Sequence, residues 1–269
     1  MPELAEVEYF RKQWDPGLKK AITDVQVHSR AAVFRDCDVK ALVTGLTGAR
    51  LVSSAAAAKQ MLFQTNQDGW LGIHLGMTGS LRVEPLTEPS KPADHFVLVQ
   101  ADRRLVFSDP RMFGRVLFTE GKTAPDWWTR IAPSLLSEAF TPAAVAAFLK
   151  RRARTPVKSV LLMQERFPGV GNWMADEILW RAGLHPKRLA GSLSSEEIVD
   201  LYRETRRVCR QALKIIGEDM SDPPSSWLFP HRWEDGGTCP KTGVPLKREM
   251  IGGRMTCWSP ARQPSAPGR

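Results

Sequence analysis

The chain has 269 residues, 42% of them apolar, and 38 Lys and Arg against 29 Asp and Glu give it a net charge of +9. That length exceeds what one core usually organises, so two domains of roughly 100 to 150 residues are expected, and the charge favours a polyanionic partner. No apolar run approaches the roughly 18 residues of a membrane span, and the acidic start lacks a signal peptide's basic segment and apolar stretch, so a soluble, cytoplasmic protein is expected. Cys37, Cys209, Cys239 and Cys257 are too sparse for a disulfide scaffold and are read as thiols.

The chain opens MPELAEVE. A small residue at position 2 favours removal of the initiator Met, which would leave Pro2 as a secondary amine with Glu3 beside it. Such an amine is a nucleophile. Val7, Phe10 and Trp14 recur at helical spacing and predict a first helix over residues 5–14.

Residues 61–120 read as short strands, MLFQT, WLGIHLGM, SLRVE, HFVLVQ, RLVFSD and RVLFTE, separated by Gly, Asn and Asp turns. The pattern suggests antiparallel sheets packed as a sandwich. From about Ala124 the period changes. Thr141 and Pro142 form an N-cap with proline at N1, Ser194 and Glu197 have capping-box spacing, and Gly217 is expected to end the long helix that follows.

DPPSSWLFPH carries too much Pro and Ser for regular structure, and residues 243–258 read as a hairpin turning at Gly252-Gly253. In FPGVGNWMADEILWRAGLHP, a Gly-bounded turn leads into a helix closed by Gly183, and a helix N-terminus of that kind can seat a phosphate. Such helix pairs are also common as packing devices.

MPELAEVE, AAKQMLF, HLGMTGSLRV, SDPRMFGRVLF, PGVGNWMADEILWRAGLHP and the final GGRMT…SPARQ occur in this order. Together they resemble the formamidopyrimidine-DNA glycosylase and endonuclease VIII family, from residue 1 to about residue 263. The resemblance implies an α+β chain: an N-terminal antiparallel β-sandwich with an N-terminal helix (1–123), a helical helix-two-turn-helix domain (124–222) and a C-terminal β-hairpin finger and tail (223–269). Damaged double-stranded DNA would lie in the cleft between domains, bound by a monomer, at the nucleoid in a bacterium.

The resemblance also implies the chemistry, a base-excision glycosylase with AP lyase activity. A damaged base must leave the stack before it can be reached, at a cost of a few kcal/mol. Met77, Arg111 and Phe113 match the residues that fill the gap; an apolar chain and a ring can wedge between bases, and a guanidinium can bond the orphaned partner. Pro2 would then attack the sugar C1′ and form an iminium. An α-amino group, with a pKa of about 7.7 to 8.0, is far nearer to neutral than a lysine at about 10.4. Glu3 is the expected general acid/base and Glu6 a polar group orienting the amine.

Lys59, expected on the strand leading into the cleft, matches the lysine supporting β-elimination, and Arg254 the hairpin-tip arginine linked to δ-elimination. Asn172 and Lys158 are expected to bind DNA, Asn172 by holding a phosphate. The run Lys150, Arg151, Arg152, Arg154 could add affinity or simply be a solvated face. His95 and His185 are expected to be structural.

The departures bear on metal and substrate. The family finger commonly carries two C-x-x-C pairs that hold zinc; here they read Cys239-Pro-Lys-Thr242 and Ser259-Pro-Ala-Arg262. No cofactor and no zinc are therefore expected, and the finger should be held by packing, with Trp258 and Met250 in its core; a two-cysteine site completed by His231 is the alternative. Ala5, Ala55 to Ala58 and Ala93 stand where polar or special residues are usual, and the segment from Gly217 to Cys239 is short where the purine-specific branch covers an extruded base. Oxidised pyrimidines, ring-opened purines, hydantoins or abasic sites all remain possible substrates. The rival reading is a non-catalytic protein that binds damaged or branched DNA on the same scaffold.

Overall fold

The structure is a computed structural model that describes residues 2–265. It divides into two compact units after Ile131.

The first unit is a β-sandwich with helices at its margins. Helix α1 (Leu4–Lys12) runs into a 3₁₀ turn at Asp15–Gly17 and strand β1 (Ile22–Val27); helix α2 (Val39–Leu46) follows. Then come β2 (Leu51–Ala57), β3 (Gln60–Thr65), β4 (Gly69–His74), β5 (Ser80–Glu84), β6 (Asp94–Gln100), β7 (Arg104–Ser108), β8 (Arg115–Glu120) and the short α3 (Asp126–Thr129). Two four-stranded antiparallel sheets result, ordered β1-β6-β7-β5 and β2-β3-β4-β8. Trp14, Phe63, Phe96 and Phe107 are fully buried between them. Each such side chain contributes about 1.5 to 3 kcal/mol by leaving water.

Strands β1 and β2 and helix α2 were not expected from the sequence. β2 reads LVSSAAA, a composition that favours helix over strand. It is a strand because β3 offers a complete antiparallel partner from Thr65 to Gln60. Tertiary pairing overrides the alanines' preference.

The second unit is helical with one hairpin: α4 (Pro142–Arg151), α5 (Val157–Leu161), α6 (Asn172–Ala182), α7 (Ser195–Asp219), β9 (Lys247–Ile251) and β10 (Arg254–Trp258). The local signals act as their chemistry requires. Thr141 Oγ1 accepts from Ala144 N at 3.1 Å, Ser194 and Glu197 form the capping box, and Gly183 ends α6 at φ 69°. The long helix runs past Gly217 and stops at Met220, itself left-handed at φ 64°. Gly252 and Gly253, both with positive φ, form the two-residue hairpin turn. Among the described residues no helix is long and apolar enough to cross a membrane.

Candidate active site and nucleic-acid interface

Helix α1 fixes the start of the chain. Glu3 is its N-cap and is 3% exposed, and the Glu6 carboxylate accepts from Glu3 N at 3.1 Å, half of a capping box that locks the backbone directly behind Pro2. Arg11 is gripped by Glu8 and Asp15 and donates to Ser54 of β2, which seats α1 on the sheet. Pro2, Glu3 and Glu6 are thus brought together by one helical turn.

Lys59 does not lie on a strand, as expected, but in the two-residue turn between β2 and β3, because Ala57 pairs directly with Gln60. Ala58, its turn partner, sits at φ 53° without being glycine. Next along the sheet is a residue that the sequence reading left without a role. Gln60 pairs with His74, and His74 pairs with Arg115, so Lys59, His74 and Arg115 mark one end of three adjacent strands.

Burial, then the charges of Lys59, Arg115 and Arg35, push the His74 imidazole below its ordinary value, so it is neutral at neutral pH. Its Nδ1 accepts from Gly76 N at 3.0 Å. The ring proton therefore resides on Nε2, which makes His74 a donor suited to a phosphate oxygen. The motif HLGMTG contained the signal, a histidine two residues before a glycine turn.

Two loops project the gap-filling candidates. Gly76, at φ 62°, lies against the backbone of Phe113 and Gly114, where any Cβ would collide, so the turn carrying Met77 and the loop carrying Arg111 and Phe113 are packed together. Asp109, fully buried, joins them: it accepts from Thr78 Oγ1 at 2.7 Å, from Gly114 N at 2.6 Å and from Arg111 N at 3.3 Å. Its carbonyl meets His95 Nε2 at 3.1 Å, which gives His95 a structural partner. Phe113 is 51% exposed, and the Arg111 guanidinium lies 4.7 Å from its ring centre. An exposed ring held rigidly below can insert between bases; the sequence reading missed the supporting Asp109.

In the second unit Asn172 begins α6, and one N–H of its side-chain amide donates to Met255 O at 2.7 Å, next to the exposed Arg254. Asn172 and Arg254 therefore stand side by side at the joint between the GVGN turn and the hairpin. Lys158 requires a correction. It is fully buried, not at the surface, and its ammonium is held by Asp176 and by Asn172 O at 2.7 Å, so it supports the site from beneath instead of touching DNA. Asp176 also accepts from Arg232 at 2.6 Å and from Cys257 N at 3.0 Å, tying α5, α6 and β10 together.

The four finger positions do not fit zinc. Thr242 and Ser259 offer hydroxyls and Arg262 a guanidinium where thiolates would be required, and Arg262 is engaged with the carbonyls of Trp180 and Arg181. Among the described residues no three His, Cys, Asp or Glu side chains are grouped to hold a metal, and His231 Nε2 meets Ser225 O at 2.8 Å. Cys239 and Cys257 are packed instead with Trp180, Leu228 and Leu246, and Trp180 Nε1 donates to Cys239 Sγ at 3.3 Å. Trp258 is buried at the hairpin's base against His185, whereas Met250 is 59% exposed and is no part of that core.

Comparison with known proteins matches residues 1–116 to the formamidopyrimidine-DNA glycosylase N-terminal domain and residues 131–223 to the H2TH domain of the same enzymes. The formamidopyrimidine-DNA glycosylase of Thermus thermophilus is 36% identical over 99% of this chain and all of its own, and that of Psychromonas ingrahamii 34% over 98% and all of its own. A Lactococcus lactis formamidopyrimidine-DNA glycosylase bound to DNA containing an oxidised pyrimidine shares the fold, with a TM-score of 0.90 at 24% identity over 98% of this chain and all of the other. With its whole length matched by enzymes of one kind, the chain belongs to the formamidopyrimidine-DNA glycosylase family.

Proposed function

We propose that this protein is a base-excision DNA glycosylase with AP lyase activity that acts through the amine of Pro2 once Met1 has been removed. One observation carries the reading: α1 holds Pro2 and the buried Glu3 in a fixed turn, in the same unit as the Lys59, His74 and Arg115 row and the rigid Met77 and Arg111–Phe113 loops. In this scheme Pro2 forms a bond to C1′ as the glycosidic bond breaks. The departing base takes the electron pair, the amine gives up its own proton, and the C1′–O4′ bond then breaks, with Glu3 supplying a proton to the base or to O4′, so that an iminium remains. β-Elimination then releases the 3′ phosphate with Lys59 nearby, and δ-elimination the 5′ phosphate with Arg254 clamping.

His74 Nε2, Asn172 and the helix α6 N-terminus would hold backbone phosphates, and Arg111 and Phe113 would occupy the space left by the extruded nucleotide. The finger works without metal, because its interior is already filled by side chains. Substrates are oxidised or ring-opened bases in duplex DNA, met in the cytoplasm and, in a bacterium, at the nucleoid.

The test is borohydride trapping on duplexes carrying an abasic site, 8-oxoguanine or thymine glycol, with mass spectrometry of the adduct. An adduct on Pro2, lost in Pro2→Gly while DNA binding persists, is the expected result. No adduct, with Met1 removed and binding intact, would replace the lyase by a non-catalytic damage-binding protein or by a glycosylase that uses water in place of the terminal amine.

A further inference from the structure

The outer face of α7 carries cations for which the lesion chemistry has no use. Between Tyr202 and Lys214 five cations, Arg203, Arg206, Arg207, Arg210 and Lys214, stand against one acid, Glu204, so this is not the alternating-sign face of an ordinary solvated helix. Arg203, Arg207, Arg210 and Lys214 are exposed and three or four residues apart, which aligns them in one stripe about 16 Å long. Leu201, Thr205, Val208 and Ala212 form the buried face.

Among the described residues acidic partners reach only the first half of the stripe, Asp200 at 3.2 Å from Arg203 and Glu204 at 3.6 Å from Arg207. Arg210 and Lys214 make no ion pair among the described residues. Tyr202, Arg203, Arg206, Arg207, Arg210 and Gln211 line an open cavity of about 580 Å³.

The positive surface continues onto the base of the hairpin. Lys241 Nζ lies 5.2 Å and Arg262 Cζ 5.0 Å from the Trp180 ring centre. Burial, then the charges of Arg262, Arg181 and Arg207, hold the Lys241 ammonium below its ordinary pKa. These groups gather at the C-terminal end of α6, whereas Asn172 begins that helix about 16 Å away.

We propose that the cation face of α7, continued by Lys241 and Arg262, is a second DNA-binding surface that holds the phosphate backbone of undamaged duplex outside the lesion site. The inference rests on the protein being a DNA glycosylase. Four of the five α7 cations are arginines, whose planar forks suit phosphate oxygens better than point charges do. Duplex DNA presents one charge per roughly 1.7 Å of axis, dense enough to meet every residue of a stripe this long.

The experiment compares the full chain with a variant carrying Arg203→Gln, Arg207→Gln, Arg210→Gln and Lys214→Gln. Arg206 is kept because it donates to the carbonyls of Leu135, Leu136 and Ser137. Affinity for an undamaged duplex of about 40 bp is measured against salt, and single-turnover cleavage on an abasic duplex of about 13 bp. The expected result is a log–log salt slope shallower by about 3.6, from roughly 0.9 for each of the four lost phosphate contacts, at least a tenfold loss of affinity at low salt, and unchanged cleavage.

An unchanged slope overturns the proposal, including where an acidic protein is later found on this face. An equal loss of affinity on the short abasic duplex also overturns it, because the stripe would then belong to the lesion site. If the unmodified protein fails to cut the abasic duplex, the lyase reading falls, and the slope comparison alone still decides this surface.

Discussion

Each unit places a buried carboxylate beneath its candidate site, and at both the carboxylate holds together the segments that carry the candidate residues. Asp109 holds the Met77 turn against the Arg111–Phe113 loop through three donors. Replacing it by Ala strands Gly114 N in a buried setting, a loss of about 1 to 3 kcal/mol for that group. Asp109→Ala is therefore expected to weaken binding to an abasic duplex at least tenfold more than binding to undamaged duplex, as measured by fluorescence anisotropy. An unchanged ratio of the two affinities would show that the loops hold their places without it. Asp176 is shared by two buried cations, Lys158 and Arg232. Removing Lys158 leaves Asp176 paired with Arg232 but strips a buried donor from Asp176 Oδ1 and from Asn172 O, a loss of about 1 to 3 kcal/mol for each stranded acceptor. Lys158→Met should accordingly lower the urea midpoint and leave the salt slope of DNA binding unaltered. A flatter slope at unchanged stability would restore Lys158 to the DNA surface.

The turn between β2 and β3 shows at the level of an element how function and stability compete. Ala58 occupies φ 53°, a left-handed conformation that costs a non-glycine residue roughly 1 to 2 kcal/mol. The strain is borne where Lys59 must be presented, a position at which backbone distortion is often retained for function. Ala58→Gly is expected to raise the melting temperature by about 2 to 4 °C, for a gain near 1 kcal/mol, with lyase activity kept; a fall in melting temperature would mean that the alanine makes a compensating contact. The same element marks the limit of what the residues reveal by themselves. The caps at Thr141 and Ser194, the glycine stop at Gly183 and the hairpin at Gly252-Gly253 were legible because each is a local device with a characteristic residue; the stop expected at Gly217 was not one of them, since the helix runs on to Met220. Strand β2 was not, because its alanines say nothing of β3. Nor were His74, Asp109 and Asp176 assigned: a motif displays the exposed residues that face a substrate, while a buried group that orients them is recognised only by its partners.

Across the whole molecule, titrating groups set a pH profile whose sign can be worked out. Burial holds His74 in the first unit and His185 in the second below the usual 6.5. The unfolded chain takes these protons first, so their contribution to stability is complete above about pH 6.5 and is lost as pH falls toward the folded values. Burial also pushes the Cys37 thiol up to about 11 and the Cys257 thiol up to about 12. Unfolded thiols ionise from about pH 8.5, so stability declines as pH rises beyond that point. Cys239 acts in between. Burial alone would raise its thiol, yet hydrogen bonding, with Trp180 Nε1 donating to Sγ, outweighs that and lowers it to about 6. Its contribution is present above the unfolded thiol value and disappears as pH falls through about 6, which tilts the intervening range upward with pH. The expected profile therefore falls steeply on the acid side, climbs gently between about pH 6 and 8.5, and drops in alkali. Melting temperatures taken across that range check it, and Cys239→Ser should flatten the middle segment while leaving the acid fall in place. If the native protein melts at one temperature throughout the middle segment, Cys239 is a neutral thiol, and the hairpin base relies on packing around Trp180 with no charge at its centre.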